Sequence, residues 1–394
     1  QWRLPIILFA EGGGGRPGDV DVMDVSVAGL DITTFKQFAK LSGLVPLISI
    51  VSGRCYAGNA ALLGCADVII ATRNSNIGMG GPAMIEGGGL GACKPEDIGP
   101  IDIQSPNGVV DIVAEDEAEA VRLAKKYLSY FQGPLSGWEC ADQRLLRRCI
   151  PENRMRVYNV RTVIETLADK GSVLELRREF GIGIVTALIR LEGRPLGLIA
   201  NNPMHLGGAI DADGADKAAR FMQLCDAFDI PMLTLCDTPG FMVGPDAERT
   251  AQVRHFCRMF VNGASATVPF FAVVLRKGYG LGAQAMVGGS FHNPLFIVSW
   301  PTGEFGGMGL EGAVRLGFRK ELDAVENPEE RQALYESMVA MAYEHGKALN
   351  MASVQEIDDV IDPVDTRAWI LRGLRSLPPP APRAGKKRPC VDAW

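Results

Sequence analysis

The chain repeats itself, and this repetition limits its fold more than any other feature. Leu4-Pro5-Ile6-Ile7-Leu8-Phe9-Ala10-Glu11, ahead of a glycine run, returns as Ile230-Pro231-Met232-Leu233-Thr234-Leu235-Cys236-Asp237-Thr238-Pro239-Gly240. Val45-Pro46-Leu47-Ile48-Ser49-Ile50-Val51, leading to Tyr56-Ala57-Gly58, returns as Val268-Pro269-Phe270-Phe271-Ala272-Val273-Val274, leading to Tyr279-Gly280-Leu281-Gly282. Pro5 and Pro231 lie 226 residues apart, Val45 and Val268 lie 223 apart, and Gly80-Gly81 lies 226 before Gly306-Gly307. Two homologous halves follow. Each half carries an apolar run of strand length, a glycine-rich turn and a helix start of small residues, so each can offer backbone N–H groups to a ligand.

A length of 394 residues suits two domains at roughly 100 to 200 residues each. With 47% hydrophobic and 22% charged residues, the chain has the composition of an ordinary globular protein able to bury two cores. A net charge of −6 and a pI near 5.5 argue against general affinity for nucleic acid. No stretch reaches the roughly 18 to 20 apolar residues of a membrane span, and no signal-peptide pattern precedes the first strand. The nine cysteines form no CxxC pair. Cys55, Cys65, Cys225, Cys236 and Cys257 sit among apolar or small residues, where buried free thiols are expected. A reducing compartment fits, the cytoplasm or, in a eukaryote, the mitochondrial matrix. The apolar run at Leu4 begins without any lead-in, which suggests upstream residues belonging to a longer protein.

Residues 12–18 read as a loop, 32–41 as a short helix and 45–51 and 68–71 as strands joined by the turn and helix of 53–63. This alternation of strand, turn, helix and strand predicts parallel strands in an α/β class. A helix is expected over 115–130, with acids in its first turns and Lys125 and Lys126 late. We place an N-terminal domain at 1–150, a linker with one helix (160–168) at 151–180 and a C-terminal domain at 181–394. The second domain opens with a hairpin of 185–191 and 196–200, followed by helices over 215–228, 246–261 and 328–350. The tail 378–394, rich in proline and base, is expected to be flexible or to hug the surface.

Familiar catalytic groups are missing. The histidines at 205, 255, 292 and 345 have no metal-ligand spacing, so no metal is expected, and there is neither a GxSxG elbow nor a Walker lysine. An enzyme built this way would draw on backbone donors aimed at a developing oxyanion. The turn at Tyr56-Ala57-Gly58-Asn59-Ala60 and its twin at Tyr279-Gly280-Leu281-Gly282-Ala283 are the candidates. A glycine turn between strand and helix is commonly plain fold geometry, but recurrence at matching points allows two carbonyl-type groups to be held. Arg54 is a candidate for a ligand phosphate or for an ordinary ion pair, and Lys277 is equally ambiguous. Asp237, in Asp-Thr-Pro-Gly, reads as loop-holding first and functional second. Glu304 is a modest side-chain candidate.

Longer motifs add a resemblance. Arg194-Pro195-Leu196-Gly197-Leu198-Ile199-Ala200-Asn201-Asn202-Pro203, Ala219-Arg220-Phe221, Cys225-Asp226-Ala227-Phe228-Asp229-Ile230-Pro231, Asp237-Thr238-Pro239-Gly240-Phe241, Arg276-Lys277-Gly278-Tyr279-Gly280 and Trp300-Pro301-Thr302-Gly303-Glu304 closely resemble, in order, the C-terminal half of biotin-dependent acyl-CoA carboxyltransferases. These are the carboxyltransferase subunits or domains of acetyl-, propionyl- and long-chain acyl-CoA carboxylases. The first half matches more loosely, through Pro46, the turn from Gly53 to Ala60, and Leu128-Ser129-Tyr130-Phe131.

The resemblance implies two tandem crotonase-like domains of ββα superhelix turns, acting in a homo-oligomer built from dimers in which the N domain of one copy faces the C domain of another. It implies an acyl-CoA thioester on the N domain and biotin, carried on a separate carrier domain, on the C domain. By motif position Ala57 and Gly58 look like the N–H donors to the thioester enolate, and Leu281 and Gly282 like those to the biotin ureido oxygen. Arg54, Tyr56, Gly80, Gly81, Tyr279, Gly280, Gln284, Gly306 and Gly307 are the implied substrate-binding positions. Loss of CO2 from carboxybiotin would leave a biotin anion able to take the α-proton, so no side-chain base is needed. The family's usual GGA triplet is Gly280-Leu281-Gly282 here. Gln284 stands where relatives carry a residue tied to acyl-chain preference, and it is neither the aspartate of propionyl-type members nor an aliphatic residue, so the acyl group stays open. The family also carries a further stretch of roughly a hundred residues ahead of this start, the scale of an ordinary domain segment.

The chain has no biotin-attachment segment and no ATP-binding glycine module, so biotin carboxylase and biotin carboxyl carrier protein are the expected partners, as subunits or as other parts of one polypeptide. Three rivals remain open: a biotin-dependent acyl-CoA decarboxylase subunit, a crotonase-type hydratase or isomerase, and a non-catalytic scaffold. The second turn argues against the hydratase, and two intact turns argue against the scaffold.

Overall fold

A computed structural model of the chain describes residues 2–13 and 31–394, so the part of the expected glycine loop beyond Gly13 lies outside the described residues. The first half supplies strands β1 (Ile6–Phe9), β2 (Leu47–Val51), β3 (Arg54–Tyr56), β4 (Val68–Thr72), β5 (Asn76–Gly78) and β6 (Ile112–Ala114). A parallel sheet runs in the order β1-β2-β4-β6, and β3 pairs with β5 as a separate parallel ribbon. The second half supplies β7 (Leu174–Leu176), β8 (Ile184–Leu191), β9 (Arg194–Asn201), β10 (Met232–Thr238), β11 (Phe270–Tyr279), β12 (Phe296–Ser299), β13 (Glu304–Gly306) and β14 (Asp359–Val360). Their sheet runs β14-β12-β11-β10-β9-β8-β7, with β13 on β11.

The repetition is carried by topology as well as by sequence. The order β10-β11-β12-β14 restates β1-β2-β4-β6. The registers agree: Ile6 faces Leu47 as Met232 faces Phe270, and Ile48 faces Val68 as Phe271 faces Phe296. The second half adds the antiparallel β8–β9 hairpin expected from its sequence, in register from Ile184 opposite Asn201 to Leu191 opposite Arg194. Every residue of β2, β4, β8 and β10 is buried, as sheets covered on both faces require.

Three segments differ from expectation. Residues 151–180, read as a linker, hold the helix Val160–Leu167, which packs in the second core cluster, and the edge strand β7, which pairs with β8; both belong to the second sheet's packing. The helix expected over 246–261 is two, Pro245–Glu248 and Gln252–Ser265. They part at Ala251, where φ is +57°, and the buried Gln252 amide turns inward to the carbonyls of Ile210 and Met242. The long helix stops at His345 because Gly346 lies against β13: its carbonyl accepts from Phe305 N–H at 2.8 Å, and a Cβ there would stand 2.5 Å from the Phe305 oxygen. Among the cysteines, Cys55, Cys225 and Cys236 are buried, Cys65 is only partly covered and Cys257 is exposed, since Cys257 falls on the solvent side of its amphipathic helix.

The helix Ala212–Ala227 starts on an Asp211 cap that accepts Gly214 N–H at 2.8 Å. It packs against β8, β9 and the Gln252–Ser265 helix, while its Arg220 reaches the Ala66 and Asp67 carbonyls of the first half at 3.3 and 2.8 Å. Residues of both halves join one core cluster around it. Lys217 is thereby buried, its Nζ donating to the Phe180 carbonyl at 2.9 Å.

Burial pushes the Lys217 ammonium down to about 7, against an unfolded value of about 10.4. Between those values the unfolded chain holds a proton that the folded chain has released. Stability should therefore rise with pH across that window, by about 1.4 kcal/mol per pH unit for one proton. Lys217→Met should flatten this rise, as measured by urea unfolding at pH 7.5 and pH 9.

Candidate active site

In each half a strand runs into a tight turn and then a seven-residue helix, Gly58–Gly64 after β3 and Gly280–Met286 after β11. Tyr56 stands opposite Gly78, and Tyr279 stands opposite Gly306. The residue after each tyrosine has the same left-handed φ, +54° at Ala57 and +57° at Gly280. Alanine there is costly backbone strain, which persists only when the surroundings impose it. The structural counterparts of Ala57 and Gly58 are thus Gly280 and Leu281, and Gly282 matches Asn59.

The glycine pairs shift in the same way. With Gly78 matched to Gly306, the helix caps Gly81 and Gly309 correspond, and the alignment of Gly80-Gly81 with Gly306-Gly307 by sequence offset is two residues out. The Tyr279-to-Gly306 connection is longer than the Tyr56-to-Gly78 one, which moves the repeat spacing partway through.

The first-half residues come together. Arg54, Tyr56 and Gly81 line an apolar cleft of 730 Å³ with Gly12, Gly13, Pro82, Met84 and Pro95. Gly58 lines a second cleft of 460 Å³ across the same Gly12-Gly13 ridge, with Phe35, Asn59 and Leu62. Tyr56 is fixed by its hydroxyl donating to the Pro95 carbonyl at 2.9 Å. Gly80 lies under Met84, whose sulfur would be 3.2 Å from an added Cβ. The Ala57 N–H already donates to Gly78 O at 3.3 Å, whereas Gly58 opens its helix, so its N–H has no partner within that helix. Arg54 forms an exposed ion pair with Glu96 at 2.5 Å. The glycine run pointed toward Gly12 and Gly13, but nothing in the sequence marked Met84 or Pro95.

The second-half residues form their own group. Tyr279 donates to Glu304 Oε2 at 3.0 Å, and burial raises the pKa of both. Gly280 sits where a Cβ would be 2.8 Å from Gly307 O, and a Cβ on Gly306 would be 2.8 Å from Leu310; Gly307 faces open space. Leu281 is 62% exposed at the mouth of the turn, and Gln284 is exposed one helical turn on.

Asp237 lies beneath the turn, fully buried, paired with Arg276 at 3.0 Å and accepting Lys277 N–H at 3.1 Å. Lys277 Nζ donates to the Gly207 carbonyl, and burial lowers its pKa. Asp237 is a holding residue in this geometry. Cys236 and Cys55 are buried thiols pushed up to about 12 and about 11 by that burial, which makes them poor nucleophiles. Among the described residues no group of three or more His, Cys, Asp or Glu is placed to hold a metal ion, and no helix is long and apolar enough to cross a membrane.

A Cβ on Gly282 would stand 2.7 Å from the Gly240 backbone, so the helix start and the Asp-Thr-Pro-Gly turn touch main chain to main chain. Gly282→Ala should cost about 1–3 kcal/mol by overpacking, visible as a lower urea midpoint. Among the described residues no hydrogen bond or ion pair joins the first-half group to the second-half group.

A family model described as the carboxyl transferase domain matches residues 2–378. The methylmalonyl-CoA carboxyltransferase 12S subunit of Propionibacterium freudenreichii subsp. shermanii is 33% identical over 386 residues, covering 94% of this chain and 71% of that subunit. A solved single-chain, multi-domain long-chain acyl-CoA carboxylase is 63% identical with a TM-score of 0.87, over 94% of this chain. The chain spans 36% of that larger one. The transcarboxylase 12S structure, a hexamer with methylmalonyl-coenzyme A and methylmalonic acid bound, is 32% identical with a TM-score of 0.83, over 97% of this chain and 75% of that one.

Proposed function

The chain belongs to the carboxyl transferase domain family of biotin-dependent acyl-CoA carboxylases, and from that premise we propose that it moves a carboxyl group between biotin on a carrier domain and the α-carbon of an acyl-CoA thioester. The observation that carries the reading is the duplicated turn, with one left-handed φ at Ala57 and again at Gly280. Two such turns suit a reaction in which two carbonyl-type oxygens gain negative charge.

In this reading the Gly58 N–H, with Ala57 shaping the turn, donates to the thioester oxygen and stabilises the enolate. On the other side the Leu281 N–H, as Gly58's counterpart, is the leading donor to the ureido oxygen. Gly280 shapes that turn, and Gly282 serves close packing as well as donation. The fit on that side is to a neutral planar group, since the turn offers main-chain donors and the cation beneath it, Arg276, is already paired. Biotin bound there would supply the carboxyl group and the base for the α-proton. Tyr56, Gly80 and Gly81 border the acyl-CoA cleft, with Arg54 free to exchange Glu96 for a phosphate. Tyr279, Gln284, Gly306 and Gly307 border the biotin side.

We assign the repeated units to the crotonase-like ββα class, with functional domains at 1–150 and 181–394 and the segment 151–180 packed on the second. The likeness to the hexameric transcarboxylase 12S structure supports an oligomer, in which we place the two turns as half-sites that meet across copies. Biotin carboxylase and biotin carboxyl carrier protein are the partners this chemistry requires. The 63% likeness to a long-chain acyl-CoA carboxylase, together with an apolar cleft lined by Tyr56, Pro82 and Met84, favours a long acyl group, in a cytoplasmic or matrix enzyme.

The test separates this reading from a hydratase. Free biotin should accelerate decarboxylation of malonyl-CoA by the chain, and crotonyl-CoA should not be hydrated. Hydration without any biotin effect would reverse the assignment.

A further inference from the structure

Residues 383–394 form no helix or strand, yet they are docked along the junction of the two halves; the family match ends before them, at residue 378. On the second half, Lys387 Nζ pairs with Asp226 at 2.9 Å and with Asp229 at 3.1 Å. Arg388 pairs with Asp226 at 3.0 Å and donates to Asn262 Oδ1 at 2.9 Å. Asp392 meets Arg258 at 2.7 Å, and its carbonyl accepts from Arg220 Nε at 2.9 Å. On the first half, Ser42 and Val391 exchange two hydrogen bonds: Ser42 Oγ donates to Val391 O at 3.1 Å, and Val391 N–H donates to Ser42 Oγ at 3.0 Å. Val391 itself is buried in the shared core.

Ser42 closes the turn that ends the helix Thr34–Ala39. That helix has no buried residue of its own; its partly buried Phe38, with Leu41 and Leu44 of the turn that follows, packs on a cluster of Val45, Leu47 and Ala66. At its other end the Phe35 ring stands 3.1 Å from where a Cβ on Gly58 would be. One contiguous path of packed groups therefore runs from the docked segment, through Ser42 and this helix, to the Gly58 turn.

We propose that Ser42 is a positioning residue: by clasping Val391 it fixes the Thr34–Ala39 helix, and Phe35 on that helix fixes the turn that receives the acyl-CoA carbonyl. This rests on the reading of the Gly58 turn as the acyl-CoA side. A two-hydrogen-bond clasp at the end of a poorly anchored helix is the place where such a path is most easily broken.

The full chain carrying Ser42→Ala, and separately Val391→Asp, would be assayed for biotin-dependent malonyl-CoA decarboxylation and for backbone hydrogen exchange, with Ser42→Thr as the variant that keeps the hydroxyl. Ser42→Ala should raise KM for malonyl-CoA about tenfold, within the usual range of such couplings, and leave KM for biotin unchanged. It should also speed exchange across residues 34–41 and 57–62 together, and Ser42→Thr should restore both. An unchanged KM for malonyl-CoA, a loss shared equally by both ligands, or faster exchange that stops short of 57–62 would overturn the proposal. A wild-type chain without biotin-dependent turnover would instead count against the functional reading, and the exchange comparison would still decide whether the clasp holds the turn.

Discussion

Gly58→Pro is expected to lower kcat for biotin-dependent carboxyl transfer about a hundred- to a thousandfold, the loss that follows removal of one oxyanion donor. Proline deletes the N–H, which has no intrahelical partner at the first position of a helix; because its ring also restricts the residue before it, and Ala57 holds φ +54°, an unchanged unfolding midpoint is the condition for reading the loss as that of the donor. Gly58→Ala is the control, because it keeps the donor. Its added methyl meets only the far end of the Phe35 ring, at 3.1 Å, and the ring can yield. Most activity should survive in Gly58→Ala. Equal loss in both variants, with unfolding midpoints shown to be unchanged, would mean that the turn acts through its shape and not through this donor.

The largest stability effect is expected at Asp237. Its carboxylate has no exposure, and it neutralises Arg276, itself 3% exposed, while accepting the Lys277 N–H. Arg276 in turn donates to the Arg154 and Arg156 carbonyls at 2.9 and 2.8 Å, tying the segment before the Val160–Leu167 helix to β11. Asp237→Ala leaves a buried guanidinium without its counter-charge, a change that costs about 3–5 kcal/mol. Asp237→Asn keeps an acceptor for Lys277 N–H and should cost less, though it too gives up the charge. Urea unfolding of the two variants would measure both. A loss below about 1 kcal/mol for Asp237→Ala, the scale of an exposed pair, would show that water reaches Arg276 and that Asp237 does not hold this turn.

Paired prolines and unbroken apolar runs made β1, β2, β10 and β11 readable as strands; β2, β10 and nearly all of β11 are buried on both faces, whereas β1 is an edge strand that leaves Ile7 and Phe9 exposed. The repeat was equally visible, since Pro5 and Pro231 or Tyr56 and Tyr279 sit in similar surroundings. The exact pairing was not, because Gly78 and Gly306 are matched by hydrogen-bond register, which a constant sequence offset misplaces when one connection is longer. The site residues were named from turns and motifs, but the left-handed φ of Ala57 leaves no mark in the sequence, as alanine rarely adopts it. Asp216, Lys217 and Arg220 are charged residues of the expected 215–228 helix, and charge on a helix commonly marks a solvated face. They are buried because the Gln252–Ser265 helix, Phe180, the Ala66-Asp67 turn and residues 392–394 cover that face, a long-range fact that local pattern does not contain. The docking of the 383–394 segment depends likewise on Asp226, Asp229 and Ser42, which lie far from it in the chain.

The most direct measurement follows one carbon atom. Malonyl-CoA labelled with carbon-13 in its free carboxylate would be incubated with the chain and free biotin, and the products read by carbon NMR. Label in the ureido carboxylate of biotin, appearing at the rate of thioester loss and suppressed in Gly58→Pro, is the predicted result. Label found only as bicarbonate, at a rate indifferent to biotin, would contradict carboxyl transfer between the two half-sites.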